Sequence, residues 1–205
     1  MLTPTLAEEK KLWRQGLANV CGIDEVGRGS WAGPLVVGAC ILPKNFKIPS
    51  VFGDSKQVKP QARKKLAQLI KDQAEAWSIA EISVTKINKL GLAKVTHMAF
   101  RKALVNLKPR ADFILVDAFY IKHVDRKNQK PIIGGDQKSA SIAAASIIAK
   151  VYRDNLMKKL GRQYPQYGFA KHKGYGTKRH QLAILENGLS RIHRKSFNLS
   201  FLQKS

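Results

Sequence analysis

The chain has 205 residues, and its 37 Lys and Arg against 14 Asp and Glu give a formal charge of +23. With 44% apolar residues it can bury one core, but it has no uncharged apolar run long enough for a membrane helix, and two cysteines cannot build a disulfide framework. An excess of base on this scale points to a polyanionic partner, nucleic acid before anionic membrane, since no basic amphipathic stretch has an apolar face.

The polar N-terminus, with Glu8, Glu9, Lys10 and Lys11, is not a signal peptide, and a reducing cytoplasm is the expected compartment. Residues 6–15 predict a short helix. Residues 20–26 and 35–42 read as two strands of a hairpin, punctuated by Gly27, Gly29, Gly33, Pro34 and Pro43. Asp54-Ser55-Lys56 falls in a loop. Pro60 opens a helix with Ala62, Leu66, Leu69 and Ile70 on one face. Residues 77–84 alternate as a third strand. A helix from Gly91 carries Phe100, Ala103, Leu104 and Leu107 as its buried stripe. The unbroken apolar run 113–116 fits a buried parallel strand, and 132–133 a very short fifth one. Residues 139–150 are small and apolar nearly all round, as in a helix buried against a sheet. A last helix lies near 177–186. The order is that of an α/β chain with a mixed sheet.

In so basic a chain the positions of the acids are informative. Glu8, Glu9, Asp72, Glu75, Asp125, Asp154 and Glu186 lie in polar contexts and read as solvated surface. Four others do not. Asp24 and Glu25 end an apolar strand, Asp117 ends the run 113–116, and Asp136 follows Gly134-Gly135 ahead of the buried helix. Carboxylates beside core strands are costly unless something neutralises them. A convergent set without His or Cys suits a hard cation such as Mg²⁺, and two such ions can run in-line phosphodiester cleavage. The bland alternative makes each acid a turn former or helix cap, and spacing alone does not decide. Consecutive strand residues face opposite ways, so Asp24 and Glu25 share a site only where the strand twists or ends.

Asp24-Glu25-Val26-Gly27-Arg28-Gly29, followed by Ala32-Gly33-Pro34-Leu35-Val36, closely resembles the opening motif of type II ribonuclease H. Asp54-Ser55-Lys56, Leu115-Val116-Asp117, and Gly135-Asp136 with Ser141 through Val151 resemble the second, third and fourth motifs. Tyr167-Gly168-Phe169, His172 through Thr177 and Ile192 through Phe197 are similar to the C-terminal signature. The resemblance implies an RNase H-like fold over a single domain, 1–205: a core at 1–150 with a five-stranded mixed sheet flanked by helices, and a basic C-terminal helical part at 151–205. It implies endonucleolytic cleavage of RNA in RNA–DNA hybrids and incision 5′ of single ribonucleotides in duplex DNA, leaving 3′-hydroxyl and 5′-phosphate ends. Asp24, Glu25, Asp117 and Asp136 stand as its catalytic acids and ligands of Mg²⁺ or Mn²⁺. Gly27, Arg28 and Gly29 stand as the loop at the 2′-hydroxyl, Tyr175 as its junction-sensing tyrosine, and Lys56 as a phosphate contact. The expected partners are hybrid and ribonucleotide-containing duplexes, with no membrane, and the expected state is a monomer.

Ser30-Trp31, Gly134 and Ala118-Phe119 depart from the family's usual residues without removing an acid. Two alternatives remain at this point. One is a non-catalytic basic nucleic-acid binder, which leaves the four acids unexplained. The other is a type III-like ribonuclease H without junction activity, disfavoured by the short stretch ahead of Asp24.

Overall fold

A computed structural model of the chain describes residues 3–50, 52, 59–197 and 199. Strand β1 (Val20–Val26) lies at the middle of a five-stranded sheet ordered β3-β2-β1-β4-β5. Strands β2 (Leu35–Ile41) and β3 (Ala76–Ile82) continue it antiparallel on one side. Strands β4 (Phe113–Asp117) and β5 (Gln129–Ile132) continue it parallel on the other. The mixed sheet expected from the sequence is therefore present. The parallel pair β1 and β4 brings the C-terminal ends of two acid-bearing strands to one edge, where α/β proteins assemble sites.

Both faces of the sheet are covered. On one, α4 (Leu92–Asn106) buries Val95, Ala99, Phe100 and Ala103 against β1, β2 and β3, each large side chain contributing about 1.5–3 kcal/mol. A short helix, α3 (Val84–Leu90), precedes it. The sequence reading missed α3, because only Gly91, in the left-handed region at φ 77°, separates it from α4. On the other face lie α1 (Ala7–Arg14), α2 (Pro60–Gln73) and α5 (Ala140–Gln163). The C-terminal part adds α6 (Phe169–His172) and α7 (Lys178–Asn187), which close a smaller core of Ala32, Met157, Tyr167, Phe169 and Ile184.

The helix expected at 139–150 runs on to Gln163, since its later residues are polar but still good helix formers. It lies so close to the sheet that a Cβ at Gly22 would overlap the Ser141–Ile142 backbone, and one at Gly38 the Ala145 carbonyl. The fifth strand ends at Ile132 and leaves Ile133 80% exposed. Its first residue, Gln129, is buried because its amide is bonded to the backbone of Ile121 and Val124. Leu69 of α2 is exposed, and Arg63 and Ala67 take the buried face with Leu66 and Ile70.

Two acids read as solvated are not. Glu9 is fully buried: its carboxylate accepts bonds from Ser139 Oγ at 2.6 Å and the Ser141 N–H at 2.9 Å. It therefore caps the N-terminus of α5 from a different helix, where the helix dipole favours negative charge. Asp154 is half-buried between Lys150 (2.7 Å) and Arg63 (3.7 Å). The Asp54-Ser55-Lys56 loop lies outside the described residues.

Candidate active site

The Asp24 carboxyl is buried two residues before the end of β1. Its Oδ1 accepts the N–H of Glu25 at 2.7 Å, and Ser146 of α5 bonds its side chain. Burial, with the negative charges of Glu25 and Asp117 added, pushes its pKa up to about 8. Glu25 is pushed up to about 7 by burial and by Asp117, despite an Arg28 guanidinium 3.5 Å away. Asp117, at the tip of β4, accepts the Gly135 N–H at 2.8 Å on Oδ1. The strand-parity difficulty is resolved by position. β1 stops one residue beyond Glu25, and Gly27 turns the chain at φ 88°, so both neighbours reach the same cleft.

That cleft, of about 430 Å³, is lined by Asp24, Glu25 and Asp117, by Gly27, Arg28 and Gly29, and by Ser146, Lys150 and Tyr175. Seven of the nine predicted site residues thus line one hollow. Asp136 does not. It is half-exposed on the 3-10 turn Gly135–Gln137, one residue beyond the amide that holds Asp117. Lys56 lies outside the described residues. Ser146 and Lys150 were missed as site residues, although both stand within the fourth motif.

Three carboxylates facing one cleft, two of them with pKa values raised by burial and by their acidic neighbours, form an oxygen-donor set that fits a hard divalent cation. Among the described residues no three His, Cys, Asp or Glu side chains close into a ready-made cage.

The glycine loop rests on two buried arginines. Arg153 of α5 donates from Nε to Pro34 O (3.1 Å), from Nη1 to Lys173 O (3.0 Å) and from Nη2 to Ala32 O (3.2 Å). Arg194 donates from Nε to Gly33 O (2.9 Å) and from Nη1 to Arg28 O (2.8 Å). Both are fully buried, and burial lowers both pKa values, that of Arg194 to about 9. Five carbonyls are thereby turned inward. At Gly29 a Cβ would meet nothing within 4 Å, so the loop backbone there is open to the cleft.

Tyr175 is held by histidines. Its carbonyl accepts from His180 Nδ1 at 3.0 Å. His193 Nδ1 accepts from the Ser190 N–H at 2.8 Å, so its Nε2–H donates to His180 Nε2 at 3.1 Å. The backbone contacts fix both tautomers with both rings neutral. Burial accordingly lowers each pKa to about 4. His172 stacks on His180 and is bonded to Tyr167 O at 2.7 Å.

No helix among the described residues is long and apolar enough to cross a membrane. The family model described as Ribonuclease HII matches residues 21–200. Ribonuclease HII of Desulfitobacterium hafniense is 47% identical over 192 residues, covering 94% of this chain and 73% of its own. The crystal structure of ribonuclease H2 from Pyrococcus horikoshii superposes with a TM-score of 0.76 at 26% identity, covering 91% of this chain and all of that one. The fold also recurs, at a TM-score of 0.63 and 20% identity, in Bst ribonuclease HIII solved in complex with Mn²⁺, covering 88% of this chain and 67% of that one. The motifs, the sheet and the acidic cleft thus meet in one assignment: the chain belongs to the ribonuclease HII family, hydrolases that cleave RNA in RNA–DNA hybrids.

Proposed function

We propose that the chain incises duplex DNA 5′ of a single embedded ribonucleotide as well as cutting continuous hybrids, with Mg²⁺ or Mn²⁺, leaving 3′-hydroxyl and 5′-phosphate ends. The observation that carries this is the shared cleft: three carboxylates, the Gly27-Arg28-Gly29 loop and Tyr175 line one hollow. Asp24, Glu25, Asp117 and, from the adjoining turn, Asp136 would hold the cation. When bound, a divalent cation supplies Lewis acidity at the scissile phosphate.

The chain's own residues do the rest. Lys150 lines the cleft and sets positive charge beside the phosphate path. The open backbone at Gly29 admits a sugar closely enough to read its 2′-hydroxyl, the mark that distinguishes RNA from DNA. Tyr175, 38% exposed, offers a ring face to the next sugar. Lys56 contacts a phosphate and positions without specifying. The chain acts as one domain over 1–205, because Arg153 and Arg194 of the 151–205 part bond to the loop between β1 and β2 in the 1–150 core. We further assign it a monomeric state and a cytoplasmic location, the latter in keeping with the free, buried Cys21 and Cys40.

The test is cleavage of a labelled duplex with one ribonucleotide, beside an all-DNA duplex and a continuous hybrid, with and without each metal. The expected result is a metal-dependent cut immediately 5′ of the ribonucleotide with all-DNA intact. Cutting of the continuous hybrid alone would refute the role given to Gly27, Arg28, Gly29 and Tyr175.

A further inference from the structure

Other hollows lie on the surface, and charge separates them. The hollow between α2 and α5 holds Asp154 beside Arg63 and Lys158, and the one along α2 holds Asp72 beside Lys65. A third, of about 550 Å³, lies between α4 and the segment after β4. Lys94, His97, Arg101, Lys122 and His123 line it, and no acid does. Among the described ion pairs none involves these five, whereas Arg28, Arg63 and Lys150 are each paired.

The hollow is built rather than draped. Arg101 Nη1 donates to the Lys122 carbonyl at 2.8 Å, and the Lys122 N–H donates to His97 Nδ1 at 3.3 Å. The second bond makes Nδ1 of His97 an acceptor, so the neutral ring carries its proton on Nε2. Arg101 and His97 are half-buried, and burial, aided by Lys122, Arg101, Arg28 and His123, lowers the His97 pKa. The connecting segment is entered at Ala118 (φ 67°) and left at His123 (φ 61°), two non-glycine residues in the left-handed region. Such strained positions persist where the surroundings over-determine them, and they cluster at ligand sites.

The hollow also adjoins the cleft. The Arg28 guanidinium lies 5.4 Å from the Phe119 ring centroid, and the His97 ring meets the same centroid edge-on at 5.6 Å. Arg28 and His97 are therefore no more than about 11 Å apart. Phosphates recur every ~3.4 Å of axis on each strand, so the hollow lies within about three nucleotide steps of the cleft.

We propose that this hollow is a second phosphate site, which grips the backbone of the duplex flanking the cleft on the α4 side. The chemistry is that of an acceptor-only anion, because lysine, arginine and this tautomer of His97 present only N–H donors. A run of phosphates entering from the cleft fits it better than an isolated ion, since the Phe119 ring packs against both Arg28 of the cleft and His97 of the hollow. Its contacts fix register and carry no sequence information. The inference rests on the reading that a duplex lies in the cleft.

The experiment uses the full chain without metal, so that binding is read apart from cleavage. Lys94→Gln with Lys122→Gln alters the hollow. Lys10→Gln with Lys65→Gln makes the same charge change on exposed residues of α1 and α2, which cover the opposite face of the sheet. Each is titrated with a fluorescent duplex holding one central ribonucleotide at several salt concentrations, and circular dichroism verifies folding. The hollow pair is expected to weaken binding about tenfold at low salt and to flatten the slope of log K against log salt by about 1–2, near 0.9 per phosphate contact. The control pair is expected to leave the slope within about 0.3 of wild type. Equal effects of both pairs would reduce the hollow to part of a general field and overturn the proposal, as would no effect of either. Inorganic phosphate shifting the His97 and His123 resonances while the hollow pair leaves the duplex slope unchanged would make it a free-anion site and overturn the duplex role. The incision reading is judged separately, by the cleavage assay on wild type.

Discussion

Replacing Gly27 by alanine tests whether the glycine loop is held by the scaffold beneath it. The residue sits at φ 88°, where an L side chain costs roughly 1–2 kcal/mol. The added Cβ would overlap Nε of Arg153 and lie about 2.5–2.7 Å from Cζ and Cδ. That guanidinium cannot step aside freely, because its three nitrogens serve the carbonyls of Pro34, Lys173 and Ala32 in a buried setting. Losing one or two of those bonds leaves buried acceptors unsatisfied, at about 1–3 kcal/mol each. A total of about 3–5 kcal/mol follows, and for a chain of this size each kcal/mol moves the thermal midpoint by about 2–4 °C. The expected result is a fall of about 6–20 °C for Gly27→Ala, read by circular dichroism. Gly29→Ala is the counterpart. It has an ordinary φ and open space around the new methyl, so its midpoint should stay within about 2 °C while incision at a single ribonucleotide falls at least tenfold. A Gly27→Ala midpoint unchanged within 2 °C, roughly the noise of the measurement, would refute the reasoning.

Asp24→Asn and Asp117→Asn should each lower hybrid cleavage by at least about 10²–10³-fold while hybrid binding, measured by fluorescence anisotropy, is retained. Because the folded-state pKa values of Asp24 (about 8) and Glu25 (about 7) stand above their ordinary values of 3.8 and 4.5, the metal-free fold binds more protons than the unfolded chain in between. Its stability should therefore fall as pH rises from about 4 to 8, less so in Asp24→Asn, as thermal melts in a chelator would show. In that window divalent binding should release protons, which calorimetry in buffers of different ionisation enthalpy reads directly. His180 and His193 work with the opposite sign. Held neutral down to about pH 4 against an ordinary 6.5, they cost stability as pH falls between those values, roughly 3 kcal/mol apiece, and His193→Gln should soften the acid limb of the stability profile.

What the sequence made legible was periodic or chemically costly. The bounds of β1 could be read directly, since apolar residues end at two acids and a glycine. Asp24, Glu25 and Asp117 stood out because acid beside a buried strand demands a reason, and the cleft lined by all three supplies one. Structure held by backbone groups was not legible. Nothing in the spacing of Arg153 or Arg194 announces that four of their five carbonyl partners lie more than 100 positions away. Glu9 looked solvated because its neighbours on α1 are charged; its burial comes from the serine and amide of a helix 130 residues on. Trp77 of β3 is 40% exposed with Lys71 over its ring, because β3 is an edge strand.

The seam between α5 and the sheet has a consequence for how this chain can change. At Gly22 and Gly38 the helix rests on strand backbone rather than on interlocking side chains, and Gly38 lies directly across from Asp24. Interlocked side chains can drift together, a larger one on one side answered by a smaller one on the other. A backbone seam has no such exchange, since neither surface has an atom to give up. Variation can accumulate on α1, α2 and α7 while the depth of Asp24 beneath Ser146 stays fixed, and an engineer who wished to move that carboxylate would have to shift the whole of α5 rather than repack its neighbours.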